Sequence, residues 1–81
     1  MKIRIEEKDY EGSGVEILEQ LRRETFDECP DTESYLRQLQ AGFTSVTDLE
    51  CRLPNASLER QARAMFAQLE KVGALEILDN D

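Results

Sequence analysis

Three helix-start signals divide the chain and constrain its fold more than any other feature. Ser13, Asp31 and Ser57 each precede a run of apolar residues at helical spacing. Glu16 lies three residues after Ser13 and completes a capping-box pattern. The third run is the most regular and comprises Leu58, Ala62, Met65, Phe66, Leu69 and Val72. The sequence therefore predicts three amphipathic helices.

The first two helices have predicted ends and predicted buried faces. Pro30 ends the first helix, because the residue before a proline avoids the helical region. Gly42 weakens the second half of the second helix. The expected inward residues are Ile17, Leu18, Leu21 and Phe26 or Thr25 in the first helix, and Tyr35, Leu36, Leu39, Phe43 and Val46 in the second.

Alternating segments at both ends of the chain predict strands. Residues 2–11 alternate, with Ile3 and Ile5 on one side, and indicate a strand or hairpin that turns near Glu7 and Lys8. Gly73 is a natural residue for ending the third helix, and residues 74–78 then alternate weakly as a final strand. Residues 49–53 favour a brief strand or an extended connector.

These elements predict an α+β fold. Three helices would pack on a small antiparallel or mixed sheet, formed by the N-terminal strand or hairpin and the C-terminal strand. We expect one domain over residues 1–81, with an acidic tail at 79–81.

Composition excludes several classes of protein. No apolar stretch approaches the roughly 20 residues that a membrane span needs, and no secretory signal follows Met1. The two cysteines do not form a disulfide framework; Cys29 and Cys51 could pair with each other, but we expect reduced thiols in a cytoplasmic protein without membrane association. Cys51 fits core packing, and the acids around Cys29 disfavour its thiolate.

The residue types also argue against catalysis, cofactors and metals. The chain has no His, which removes every Ser-His or Cys-His arrangement. Two widely spaced cysteines cannot supply a structural zinc site. The segment Gly12-Ser13-Gly14 could bind an anion at a helix start, but without a following phosphate-binding lysine it fits a turn better. We expect a protein that is not an enzyme and that has no cofactor.

Negative charge is concentrated in the middle of the chain. The net charge is −8, from 18 acidic and 10 basic residues. Between positions 24 and 50 the only base is Arg37, whereas the acids there are Glu24, Asp27, Glu28, Asp31, Glu33, Asp48 and Glu50. Such a cluster can dock on a basic surface and raise association rates. These seven acids are the predicted partner-binding residues, and an ordinary solvated surface is the alternative explanation of their clustering.

The charge pattern favours a non-catalytic protein-binding module. We expect an acidic inhibitor or regulator that docks on a basic, nucleic-acid-binding protein, in the manner of nucleic-acid mimics and phage-type anti-defence or anti-CRISPR proteins. Direct binding to nucleic acid is disfavoured, because the negative charge opposes the phosphate backbone.

Two alternatives remain open. A small winged-helix-like DNA-binding regulator would use Arg60 and Arg63 on the third helix. A structural or oligomerising accessory protein would form a homodimer, either through the strand edges at residues 3–5 or 75–77 or through surplus apolar surface. The residues of that surplus surface are Phe43, Val46 and Leu78.

Overall fold

Both ends of the chain meet in one antiparallel sheet that carries three helices. The structure is a computed structural model that describes residues 1–25 and 29–80. The elements follow in the order β1 (Lys2–Ile5), β2 (Lys8–Glu11), α1 (Gly14–Glu24), α2 (Thr32–Thr47), α3 (Leu58–Lys71) and β3 (Glu76–Asp79). The predicted α+β fold is confirmed.

Strand β1 lies in the centre of the sheet, whose order is β2-β1-β3. Ile3 is paired with Tyr10 of β2 on one side and with Ile77 of β3 on the other. The expectation that residues 3–5 offer a free edge is therefore wrong, because the C-terminal strand returns to pair with β1. The outer edge of β3 is partly covered as well, since the Ile77 N–H donates to Glu70 Oε2 at 2.7 Å.

All three predicted N-caps are confirmed. The side chains of Ser13, Asp31 and Ser57 accept backbone N–H groups of their own helices at 3.1, 2.8 and 3.3 Å. Glu16 also accepts the Ser13 N–H at 3.0 Å, which completes the capping box. These side chains satisfy N–H groups that have no partner within a helix.

The helix ends also follow local chemistry. α1 ends at Glu24, five residues before the Cys29–Pro30 bond, and α3 ends where Gly73 adopts a φ of 78°. α2 ends at Thr47, and the next residue, Asp48, adopts the left-handed φ of 61° and closes the helix through its N–H to the Thr44 carbonyl. A short acidic side chain tolerates this conformation better than most residues do.

The core lies between the helices and the inner face of the sheet. Its largest fully buried side chains are Phe66, Ile3, Ile17, Leu18, Leu36 and Met65. Phe43 and Ala62 are buried as predicted, so the alternative that Phe43 contributes surplus apolar surface is wrong. Val46 is 86% exposed, so the prediction that it faces the core is wrong, whereas its predicted place, with Leu78, among exposed apolar residues agrees with the structure. Val46 lies near the C-terminal end of α2, on the rim of an open groove rather than beneath α3. Phe26 lies outside the described residues.

Residues 48–57 connect α2 to α3 without regular secondary structure, as the extended-connector alternative predicts. Cys51 anchors this connector: its side chain is buried, with Sγ 3.7 Å from Met65 Sδ, and its carbonyl accepts Gln40 Nε2 at 2.8 Å. The prediction that Cys51 is a core residue is confirmed. Leu49, in contrast, is 54% exposed.

Candidate functional site

An open apolar groove of about 550 Å³ runs along α2. α2 forms one wall, and the end of α3 with the residue after its turn forms the other. The residues that line the groove are Thr25, Tyr35, Gln38, Leu39, Gly42, Phe43, Val46, Thr47, Leu69, Val72 and Ala74. Every one of these described lining residues is uncharged, in a protein in which 35% of residues are charged.

The groove coincides with the longest uncharged run in the sequence. No charged residue occurs between Arg37 and Asp48, although α2 is a surface helix for most of its length. Val46 projects its side chain almost fully into solvent on this face, and Val72 on the opposite wall is 40% exposed. Exposed apolar side chains on both walls make the groove a candidate contact surface.

Core packing fixes the walls of the groove. Phe43 is buried in the core cluster, while Leu39 and Leu69 are partly buried against it. Gly42 lies in the α2 wall with open space where a Cβ would stand. The groove is therefore a depression in a packed surface, with side chains whose positions the core constrains.

An acidic residue, Asp48, adjoins the groove at the C-terminal end of α2. Asp48 directly follows the wall residue Thr47, is exposed, and caps the helix end where backbone carbonyls concentrate negative partial charge. The last turn of α2 contains no basic residue to offset that charge. Glu50 follows two residues later and forms an ion pair with Arg52 at 3.2 Å.

Glu24, the first predicted partner-binding acid, is directed toward the N-terminal hairpin. Its carboxylate forms an ion pair with Lys8 and accepts the Tyr10 hydroxyl at 2.5 Å. The hydrogen bonds from Lys8 and then Tyr10 hold the pKa of Glu24 below its usual range. Glu24 thus joins α1 to β2, and it immediately precedes the groove residue Thr25.

Asp31 and Glu33 lie at the N-terminal end of α2. The Ser34 backbone N–H, and secondarily its side chain, lower the pKa of the Asp31 carboxyl, which acts as the helix cap. Glu33 is mostly exposed, with Arg37 4.0 Å away. Asp27 and Glu28 lie outside the described residues.

The predicted partner-binding acids that the structure describes therefore lie apart from one another on the molecule. Asp31 and Asp48 cap opposite ends of α2, and a helix of 16 residues spans about 24 Å at 1.5 Å per residue. Glu24, Asp31, Glu33 and Glu50 each have a partner within the chain. Of this group, Asp48 and Glu24 adjoin residues that line the groove.

The glycine-containing turn at residues 12–14 binds a carboxylate group of the protein itself. Glu59 of α3 accepts the N–H groups of Gly14 and Val15 at 2.7 and 2.9 Å, and it also accepts Arg63 Nε at 2.7 Å. Burial opposes ionisation of Glu59, but the hydrogen bonds from Val15, Arg63 and Gly14 outweigh it and lower the pKa. The first turn of α1 is thus capped by another helix.

Of the two basic residues of α3 that were predicted to bind DNA, Arg63 forms hydrogen bonds within the protein. Arg63 is held by Glu59 and donates to the Asn80 carbonyl at 3.1 Å, which ties α3 to the chain after β3. Arg60 is exposed. The DNA-binding alternative stays a prediction, which a gel shift with Arg60→Glu would test.

Over residues 1–25 and 29–80, no group of three or more metal-binding side chains could hold an ion. Within the same ranges, no helix has the length and apolar character that crossing a membrane requires.

Comparison with known proteins gives no match: no family model, curated protein or solved structure is significantly similar to the chain.

Sequence reasoning placed Val46 in the core stripe of α2 and also offered it as surplus apolar surface for a homodimer, but it did not predict a groove. The available signal was the absence of charge from residue 38 to residue 47. A surface helix normally carries charged residues opposite its buried stripe, so an uncharged outer face indicates a second contact. Which residues form the opposite wall depends on how α3 crosses α2, and the sequence does not contain that information locally.

Proposed function

We propose that this chain is a non-catalytic protein-binding module that receives an apolar, positively charged segment of another protein in the α2–α3 groove. The observation that carries the proposal is an uncharged groove of about 550 Å³ on a molecule of net charge −8, with Val46 86% exposed at its rim. Burial of apolar side chains supplies most of the affinity in such contacts.

We infer the positive charge of the partner from the groups at the C-terminal end of α2 and from the net charge. Asp48, the carbonyls at the end of α2, and the net charge of the molecule all attract cationic groups. A basic partner would offset the charge that the last turn of α2 leaves uncompensated. This proposal extends the prediction of an acidic regulator with a basic partner. It places the main contact in the groove instead of at the acidic residues between positions 24 and 33.

The proposal is tested with two matched variants on the same helix. Val46→Asp places a charge on the groove rim, whereas Thr44→Asp places the same charge on an exposed α2 position that does not line the groove. A basic protein retained from the native host is identified, produced in pure form, and its Kd measured for each variant. We expect Val46→Asp to weaken binding at least about tenfold, or about 1.4 kcal/mol, and Thr44→Asp to leave it within about twofold.

A second arm separates the charge contribution. Asp48→Asn removes the charge but keeps a residue type that tolerates the left-handed conformation. We expect a slower association rate at low salt and a weaker salt dependence. Equal affinities of Val46→Asp and Thr44→Asp for the partner would remove the groove from the binding site. The narrower expectation of an anti-defence inhibitor stays a prediction until the partner is known.

A further inference from the structure

The conformation of the bound segment follows from what the groove walls are made of. None of the described lining residues belongs to a strand: those from Tyr35 to Thr47 lie in α2, and Leu69 lies in α3. Inside a helix, backbone N–H and C=O groups bond to each other and are not available to a guest. Backbone N–H groups at the end of the opposite wall also have partners within the protein, because those of Gly73 and Ala74 donate to the carbonyls of Glu70 and Leu69.

An extended guest would lose backbone hydrogen bonds in this groove. When a strand binds a protein, it normally gains main-chain bonds from a sheet edge. Here the sheet has an open edge at β2, but no residue of β1, β2 or β3 lines the groove, so a guest in the groove cannot pair with it. A buried and unpaired backbone group costs about 1–3 kcal/mol, so the guest must bring its own hydrogen bonds.

Building on the proposed function, we infer that the groove takes an amphipathic α-helix with an apolar stripe and basic flanks. The α2 wall runs from Tyr35 to Val46, which is about 16 Å at 1.5 Å per residue, or three turns of a guest helix. Apolar anchors at i, i+3 or i+4, and i+7 would contact the walls. The missing Cβ of Gly42 lets the guest approach the middle of the wall closely.

Basic residues of the guest belong at the end of the groove near Asp48. The α2 C-terminus and Asp48 place negative charge there, while the walls themselves carry none. A guest with lysine or arginine beside its last anchors gains this interaction without burying a charge in the apolar part. An acidic guest would meet repulsion from both the helix end and the net charge of −8.

The test uses three synthetic peptides of about 14 residues, which are too short to be stably helical alone. The first places leucines at helical spacing among lysines, and the second is identical except for one central outward-facing Lys→Pro change. The third replaces every lysine by glutamate. We expect the first peptide to gain helicity by circular dichroism on binding, and to bind at least about tenfold more tightly than either control. Val46→Asp should reduce this binding and Thr44→Asp should not.

The outcomes separate the inference from the proposed function. Equal binding of the proline peptide, still sensitive to Val46→Asp, would overturn the helical guest and leave the groove as a protein-binding site. Failure of the first peptide to bind at low salt would also overturn the inference. The proposed function would still be tested by the Kd of the identified partner for the two variants. A dimer in sedimentation equilibrium that Val46→Asp dissociates would overturn both, because a second copy would then fill the groove.

Discussion

Single side chains in this small protein connect one helix or strand to another. Glu59 shows this most clearly, because it lies in the first turn of α3 and also caps α1 through two backbone N–H groups. The close approach of α3 to α1 that this requires depends on Gly14. A Cβ at position 14 would stand 2.9 Å from Glu59 Oε2 and 3.2 Å from Ala62 Cβ.

The two helical glycines therefore give opposite predictions. Gly14→Ala should destabilise the fold by about 1–3 kcal/mol, because the added methyl group displaces the Glu59 cap and crowds Ala62. Gly42→Ala should stabilise it by up to about 1 kcal/mol, because alanine favours the helix and its Cβ meets open space. Urea denaturation of both variants beside the wild type measures the difference. A stabilising Gly14→Ala would contradict the close α1–α3 contact.

At the scale of elements, Glu19 is the main polar link between α1 and α2. Its carboxylate forms an ion pair with Arg22, accepts the Thr32 hydroxyl in the first turn of α2, and lies 3.5 Å from Arg23. Arg22 also donates to the Cys29 carbonyl at 2.9 Å. Hydrogen bonds from Arg22 and Thr32 lower the pKa of Glu19 to about 2.

This lowered pKa predicts how the link depends on pH. A carboxyl that is more acidic in the folded state stabilises the fold above its unfolded pKa of about 4.5, and this contribution is lost as pH falls toward about 2. Glu19→Gln should therefore lower the free energy of unfolding at pH 7 and have little effect near pH 2. Denaturant titrations of both proteins across this range measure the difference. A constant difference at all pH values would show that the charge of Glu19 does not stabilise the fold.

At the scale of the whole molecule, the sheet joins the two ends of the chain. Ile3 in β1 and Ile77 in β3 are directly opposed although 74 positions separate them in sequence. β1 is the only strand with two neighbours in the described sheet, and Ile3 is fully buried. Pairing so distant in sequence forms only when the chain as a whole collapses, because of the entropy of closing the loop.

This arrangement predicts where backbone protection is greatest. Amide hydrogen exchange measured by NMR should be slowest in β1, close to the rate set by global unfolding, and faster at the outward-facing amides of β2. The Ile77 amide should be an exception among edge residues, because it donates to Glu70. Exchange in β1 as fast as at the edge amides of β2 would contradict the central position of this strand.

The sequence by itself determined the elements, because their signals are local. Ser13, Asp31 and Ser57 cap helices through their own first turns, and Gly73 ends α3 through its own backbone conformation. Each depends on residues within about one turn. Strand alternation likewise located β1, and the hairpin alternative for residues 2–11 agrees with β2, which begins at Lys8.

Tertiary structure alone decided which surfaces remain open and which acids are free. The sequence could not show that Glu24 would meet Lys8, that Glu59 would cap α1, or that Val46 would line a groove instead of the core. Each outcome depends on how helices cross and which residues, distant in the chain, become neighbours. Those contacts come from packing the whole core at once, a collective property that no local pattern encodes.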